Sequence, residues 1–396
     1  MESPAAQPRQ SIASALAWAA YLGCSWTWVI GMYLPVLLVR DFGWRGWLAF
    51  AAPNVVGAAA MGWALTSAGQ ARRIIAGHRG FVGLFSVVTI SFQVFALMWL
   101  LPRLIGAGGL LLVFAALACA LFPNFAAAIG NRVVALAVWA VSLGAFALLG
   151  LGGALELPRE TGVSPDWHLV GLIPACALGF LLCPYLDATF LLARARCDRR
   201  GARVAFGLGF GVVFLAMIAF SLLYARPLDV GVFSRGPAWV LAIHLAVQVC
   251  FTAAAHAAVA RGEAGREAGF GPLASGGALL VAVLTAAVLG LAALRADASQ
   301  FTLLGASLGE VVYRFYMGFY GLLFPAYVLL VMIGRAPARV FYVTCLAALP
   351  FFAGAFLLGR MPWAIGGVGL ILAVGLPAAV RRRAADRQGF DVVVNP

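Results

Sequence analysis

The chain has 396 residues, of which 64% are hydrophobic and only 10% are charged. A soluble globular domain covers its core with polar surface, so this composition excludes one and predicts a polytopic membrane protein. The net charge of +13 comes from arginines scattered singly or in short clusters between apolar runs. That distribution is typical of cytoplasmic loops beside anionic headgroups, and we expect the lipid bilayer, but no nucleic acid, among the partners.

Twelve apolar runs are each long enough to cross a hydrocarbon core of about 30 Å. They lie at approximately 12–39, 46–68, 80–102, 105–129, 133–155, 167–193, 204–224, 237–260, 274–294, 301–333, 339–359 and 362–380. The loops between them are short. The sequence therefore predicts a single all-α transmembrane domain over 1–381 and a short cytoplasmic tail over 382–396.

The arginines test this count of spans. With an even number of spans both termini lie on one side, and that side holds more than twice as many arginines as the other. The positive-inside rule then predicts a multi-pass protein of the cytoplasmic (inner) membrane with both termini in the cytoplasm. One missed or invented span would remove this bias.

The sixth span is interrupted near its middle by Gly179 and Pro184, and Asp187 follows the interruption. Proline removes a backbone donor and glycine weakens a helix, so freed backbone groups at this depth persist only where protein or a water-filled cavity satisfies them. A carboxylate beside such a break is a candidate functional group that could carry a proton or hold a cation. The alternative interpretation is a proline kink with Asp187 hydrogen-bonded to a neighbouring helix.

The first span is interrupted in a similar way, at Gly23-Cys24-Ser25, with Gly31 and Pro35 following. Two interrupted spans five positions apart indicate an inverted repeat, because an odd shift makes the two halves enter the membrane from opposite faces. The repeats would cover about 12–155 and about 167–333, and the helices over about 339–380 would be additions. The two breaks would then meet at the midplane and form one site.

These stretches resemble a known family. The residues from Gly23 to Pro35, ending in IGMYLP, are similar to the first helix of permeases of the amino acid–polyamine–organocation superfamily. The sixth-span region of aromatic amino acid permeases is similar to a second stretch, ALGFLLCPYLDATF followed by RARCDRRGARVAFGLGFG. The resemblance implies the leucine-transporter fold and a substrate site at the two breaks. The residues of this substrate site would be Gly23, Cys24, Ser25, Gly179, Phe180 and Asp187.

The eighth and fifth spans depart from the patterns of this superfamily. Sodium-coupled members carry hydroxyl side chains in the inner half of the eighth span, where this chain offers only Thr252 as a candidate for ion binding. Proton-coupled relatives can carry a lysine in the fifth span, which has no basic residue here. Sodium and a proton both stay open as the coupling ion.

Glu310 lies in the predicted tenth span with Arg314 one helical turn later. An ion pair inside lipid needs a polar cavity or further partners, because desolvation offsets most of its Coulomb energy. The predicted span places Glu310 about nine residues, or ~14 Å, below the outer surface. The pair is a candidate outer gate, or alternatively a structural pair that fixes the rotation of the helix.

No other set of residues indicates catalysis or a bound cofactor. His244 and His256 are twelve positions apart on the eighth span, too far for a helical metal site, so a core role is favoured over proton relay. The seven cysteines are odd in number and lack metal-ligand spacing. We therefore expect a protein that is not an enzyme and needs no cofactor or metal.

The sequence as a whole predicts a secondary active transporter, a permease or symporter that moves a small organic solute, for instance an amino acid, by alternating access. The alternatives are a carrier of the major-facilitator type, and a non-transporting membrane enzyme or sensory or assembly subunit. The major-facilitator interpretation expects a charged Asp-Arg motif between the second and third spans, which the sequence Gly69-Gln70-Ala71-Arg72-Arg73 matches poorly.

Overall fold

The computed structural model describes residues 11–261 and 277–394. Helices form the first half of the chain: α1 (Ile12–Trp26), α2 (Val29–Ala64), α3 (Ala68–Gly77), α4 (Arg79–Ile105), α5 (Ala107–Leu121), α6 (Pro123–Ile129) and α7 (Arg132–Leu151). A loop and a short 3₁₀ turn then lead to α8 (Leu169–Leu182). The first ten residues and the loop around Arg266, both predicted to be cytoplasmic, lie outside the described residues.

The second half continues with α9 (Ala188–Arg196), α10 (Arg199–Leu208), α11 (Leu215–Asp229), α12 (Arg235–Arg261) and α13 (Gly277–Ala298). A two-stranded hairpin, β1 (Thr302–Leu303) with β2 (Ala306–Ser307), precedes α14 (Leu308–Gly318) and α15 (Phe324–Tyr327). The described chain ends with α16 (Ala338–Phe356) and α17 (Ala364–Val394). Since α17 continues to Val394, the predicted tail from 382 begins as an extension of the last helix.

Ten described helical segments are long and apolar enough to cross a membrane, or eleven if the bent pair of α5 and α6 counts as one span. The prediction of an all-α polytopic membrane protein is confirmed. The helix α1 is apolar but shorter, and α2 is two helices joined at Gly43, whose φ of +62° interrupts the helical backbone. A Cβ at Gly43 would lie 2.5 Å from the carbonyl oxygen of Arg159, so the loop before α8 also requires glycine there.

Polar side chains set the starts of several helices. Ser67 and Gln70 form a reciprocal capping box at α3, Asn131 accepts from two amides at α7, and Asp198 caps α10. Each supplies an acceptor for amides that helical hydrogen bonding leaves without partners. The helix after the hairpin, α14, starts in the same way, because the Ser307 hydroxyl accepts a hydrogen bond from the amide of Glu310.

The helices pack in two groups. In one, α2 packs against α8 and α11, and α1 packs against α10 and the π-helical segment Gly209–Phe214 that follows it. In the other, α4 packs against α12 and α13, and α5 packs against α12. The contact of α1 with α7 and α12 joins the groups. The helix α9 contacts both α1 and α12, so it lies close to the place where the two groups meet.

Both predicted interruptions exist, but at positions that differ from the prediction by a few residues. The first lies at Thr27 and Trp28, beyond Gly23-Cys24-Ser25, and the helix continues through Gly31 and Pro35. The second covers Cys183 to Asp187, so Gly179 lies within regular helix. The helix that carries Glu310 begins later than the predicted span, because α14 begins at Leu308 and places Glu310 in its first turn.

Candidate functional site

The first break is closed by the side chain of Thr27. Its amide donates to the carbonyl oxygens of Gly23 and Cys24 at 3.0 and 3.2 Å, and its hydroxyl donates to the oxygen of Gly23 at 2.7 Å. These bonds satisfy carbonyl groups at the end of α1. At the start of α2, the N-cap residue Trp28 contributes no side-chain hydrogen bond. The first amides of α2 thus have fewer hydrogen-bond partners than the last carbonyl groups of α1.

The second break is organised by Asp187, whose backbone is extended where the 3₁₀ turn Cys183–Leu186 ends. Its Oδ1 accepts hydrogen bonds from the amides of Thr189 and Phe190 at 2.7 and 3.2 Å, and from the hydroxyl of Thr189 at 2.6 Å. Asp187 is therefore the N-cap of α9, which uses one carboxylate oxygen and leaves the other for a second role.

The two breaks touch each other. The hydroxyl oxygens of Thr189 and Ser25 lie 3.1 Å apart, and the rings of Trp26 and Phe190 lie 4.9 Å apart. Ser25, Thr189 and Asp187 are all completely buried. Residues 164 positions apart in the sequence thus form one polar contact in the interior.

Helices α12 and α4 complete this site. Thr252 of α12 donates to the carbonyl oxygen of Cys24 at 3.2 Å, and His256 Nε2 lies 3.7 Å from Asp187 Oδ2. The other ring nitrogen, Nδ1, is 3.1 Å from the hydroxyl oxygen of Ser86 in α4. We call Ser25, Ser86, Asp187, Thr189 and His256 the central network.

Aromatic rings surround the central network. Trp28 packs edge-on against Tyr320 at 4.8 Å, and Phe85 packs against Tyr320 and Phe324 at 5.6 and 4.9 Å. Trp26 also donates from its indole nitrogen to Asn54 Oδ1 at 2.5 Å, which gives the buried amide of α2 a partner. The polar groups of the two breaks therefore lie in a shell of low polarity, where electrostatic interactions are strong.

The predicted site residues do not all converge. Ser25 and Asp187 lie in the central network, but a Cβ at Gly23 would lie 2.4 Å from Val213, so Gly23 serves the close packing of α1 on the segment Gly209–Phe214. Cys24 contributes its carbonyl to Thr252 and donates from its thiol to Ala135 at 3.5 Å.

Gly179 and Phe180 lie one turn before the second break, in α8. A Cβ at Gly179 would be 2.8 Å from the carbonyl oxygen of Tyr320, and the ring of Phe180 packs against Phe50 at 5.1 Å. Both line a cavity of about 70 Å³ that extends towards Asp41 and Arg314. They therefore form part of the wall of this cavity and lie outside the central network.

The predicted pair of Glu310 and Arg314 is present at 2.5 Å and has further partners. Arg40, near the end of the first half of α2, binds both carboxylate oxygens of Glu310 at 2.8 Å, and its Nε donates to Asp41 at 2.9 Å. Arg314 is 3.5 Å from Asp41. This charge cluster of Arg40, Asp41, Glu310 and Arg314 ties the first span to α14.

Several members of these sites were not identified from the sequence. The sequence could have indicated Thr189, because a hydroxyl two residues after an N-cap aspartate is well placed to donate a hydrogen bond to that aspartate. It could also have indicated His256, because His244, Gln248, Thr252 and His256 recur every fourth residue of α12 and mark a polar stripe on one face. It gave no such indication for Arg40, since its partner is 270 positions away.

No family model matches this chain, and no curated protein matches it. The function therefore has to be inferred from the geometry of the site.

Proposed function

We propose that the protein is a secondary active transporter that moves a small organic solute across the cytoplasmic membrane by alternating access. The observation that carries this proposal is the contact between two interrupted spans, made through Ser25 and Thr189 at 3.1 Å in the buried interior. Broken helices at mid-membrane cost stability unless they serve a site, because their free backbone groups need partners.

The helix contacts support an inverted repeat of the leucine-transporter type. Counting α1 with the first half of α2 as one span, and α5 with α6 as another, gives twelve spans. The contact of spans two and six, where Gly57 of α2 packs directly against the backbone of Phe180 in α8, then corresponds to that of spans seven and one (α10 with α1). The contact of spans three and nine (α4 with α13) corresponds to that of spans eight and four (α12 with α5). A shift of five spans relates each pair.

The same contacts favour this fold over a major-facilitator carrier. A carrier with two parallel halves of six spans would relate span one to span seven, and nothing would require spans one and six to be interrupted at the same depth. Here the helix ends beside the two interruptions contact each other, through Ser25 of α1 and Thr189 of α9. The resemblance to amino acid permeases in these two stretches supports the same choice.

The chemistry of the breaks suits a zwitterionic solute. The first amides of α2 carry the partial positive charge of a helix N-terminus and favour an anionic group. The carbonyl groups at the end of α1 and the carboxylate of Asp187 favour a cationic group. An amino acid carries both groups a few ångströms apart, so it fits this pair of ends.

The charge cluster fits an outer gate in this mechanism. It lies beside a polar cavity of about 450 Å³ lined by Tyr33, Arg40, Trp99, Arg103, Asp229 and Glu310. In the proposed orientation this cavity opens to the outside. Breaking the bonds of Arg40 to Glu310 would free the first span from α14 and connect the cavity with the central network.

The orientation can be tested by labelling single cysteines introduced at exposed positions, one in the loop before α8 and one at the start of α10. We expect Thr161→Cys to react with a membrane-impermeant reagent in intact cells, and Arg200→Cys to react only after permeabilisation. The native cysteines are buried or half-buried, so the unsubstituted protein is the background control. The reverse labelling pattern would contradict both the proposed orientation and the positive-inside argument behind it.

Transport itself is tested by reconstitution into vesicles. The purified protein should accumulate a radiolabelled solute against its concentration gradient when an ion gradient is imposed. Vesicles that bind solutes but never accumulate one would argue for a sensory role instead.

A further inference from the structure

We propose that Asp187 and His256 together bind one proton, and that this proton is the coupling ion. The proposal rests on the transport function proposed above and assigns its energy source. It adds His256 and Ser86 to the working parts of the site.

The geometry leaves one atom of each residue available to the other. Asp187 Oδ2 and His256 Nε2 lie 3.7 Å apart, and neither has a hydrogen-bond partner among the described residues. Both side chains are completely buried. Buried polar atoms nearly always have partners, so two that face each other without one are the natural partners of each other. The separation is longer than a hydrogen bond, and a shift of well under ~1 Å would bring the atoms within bonding distance of a shared proton.

The charge of the surroundings favours that proton. The other titratable groups that interact electrostatically with Asp187 are Tyr21 of α1, Cys183 of the 3₁₀ turn and Tyr320 after α14, and all three are neutral when protonated. The cation that acts on Asp187 is His256. Without a proton the pair carries a negative charge, and the part of the chain that the structure describes places no arginine in contact with Asp187 to balance it. One proton, on either Oδ2 or Nε2, makes the pair electrically neutral, which a low-dielectric interior favours.

The two oxygens of Asp187 have separate tasks. Oδ1 caps α9 and holds Thr189, while Oδ2 faces His256. A proton on Oδ2 leaves Oδ1 an acceptor, so the cap of α9 survives protonation. The carboxyl group can therefore gain and lose a proton without unfolding the helix that it starts.

The pair also joins two helices that are separate in the sequence, α9 and α12. Asp187 starts α9 at the break, whereas His256 is on α12 and is oriented by Ser86 of α4, which packs against α12. A movement of α9 relative to α12 would separate the two side chains and lower the affinity for the shared proton. Proton release would thus be linked to the conformational change that alternating access requires.

The chain contains a matched control for His256. His244 lies three turns earlier on α12 and is also completely buried. Its Nδ1 is 3.0 Å from the hydroxyl oxygen of Ser142, and its Nε2 has no partner among the described residues. It differs from His256 in that the structure places no carboxylate opposite it. An effect that appears when His256 is replaced, but not when His244 is replaced, can therefore be attributed to the interaction of His256 with Asp187.

Ring-nitrogen NMR of the purified full-length protein, labelled with ¹⁵N-histidine, tests the proton site directly, because the chain has only 4 histidines. We expect the titration midpoint of His256 to change by at least about one pH unit, a tenfold change in proton affinity, in Asp187→Asn. The midpoint of His244 should not change. The infrared carboxyl band of Asp187 should shift in His256→Gln and stay unchanged in His244→Gln, which gives a second measurement if one variant is unstable.

The coupling is tested in vesicles. Acid-driven accumulation should fall at least ~10-fold in His256→Gln and remain in His244→Gln. An unchanged His256 midpoint in folded Asp187→Asn would overturn the proton site, and accumulation driven by a sodium gradient alone would overturn proton coupling. The NMR measurement needs no solute, so a shared proton without any transport would contradict the proposed function and leave the proton site intact.

Discussion

Replacing Asp187 by asparagine should abolish ion-driven accumulation of the solute while leaving the protein folded. Asparagine keeps an oxygen in the position of Oδ1, which accepts from Thr189 and Phe190, so α9 keeps its N-cap. It replaces Oδ2 with an amide that cannot take up a proton or balance a cation. We expect accumulation to fall by on the order of 100-fold, the upper range of measured coupling energies, when uptake into vesicles is compared at equal amounts of folded protein.

Asp187→Ala is the companion variant, because it removes the cap as well as the carboxylate. It should lose uptake and also about 1 kcal/mol of stability, which separates the structural task of Oδ1 from the task of Oδ2. A stable Asp187→Asn protein with normal uptake and unaltered ion dependence would show that this carboxylate only supports helix packing.

Replacing Glu310 by glutamine should open the outer side of the site. Glu310 accepts both bonds from Arg40 and pairs with Arg314, so its neutralisation weakens two contacts at once. Removing one partner of a partly buried ionic group costs about 1–3 kcal/mol. The reporter is a cysteine introduced by Ser25→Cys in a protein whose Cys24 has been replaced. We expect external thiol reagents to modify this cysteine at least ~10-fold faster when Glu310→Gln is also present.

Glu156→Gln is the control for the gate. Glu156 pairs with Arg226 at 2.7 Å, but both side chains are 40% exposed, and such pairs contribute little. That variant should leave the reactivity of Ser25→Cys unchanged. An unchanged reactivity in well-folded Glu310→Gln would identify the charge cluster as a structural pair, the alternative interpretation of Glu310 and Arg314.

Hydropathy located the membrane helices well because their length is fixed by the bilayer and their composition by lipid. Asp187 was found for a related reason, since a carboxylate in an apolar run is costly and therefore informative. The positions of the breaks were less predictable. Glycine and proline mark weak points in a helix, but the first break lies at Thr27, where a side-chain hydroxyl replaces a helical bond to Gly23.

Contacts between distant residues could not be read from periodicity. Arg40 directly follows the first predicted span, and its pairing with Glu310 depends on how two helices pack. The opposition of His256 and Asp187 depends in the same way on the approach of α12 to α9. The hairpin before α14 interrupts an apolar run without a strong polar signal, which is why the start of the helix that carries Glu310 was predicted too early.

The most direct test of the central claim, that the two breaks form one solute site, is the thermal stability of the purified protein across a panel of small metabolites. At least one solute that carries both a carboxylate and an amine should raise the melting temperature by ~5 °C or more at saturating concentration. The shift should be lost in Ser25→Ala, which alters the contact between the breaks. It should persist in Ser142→Ala, which alters an equally buried serine that pairs with His244 and Gln248. A panel without any stabilising solute, or a shift of equal size in both variants, would contradict the claim.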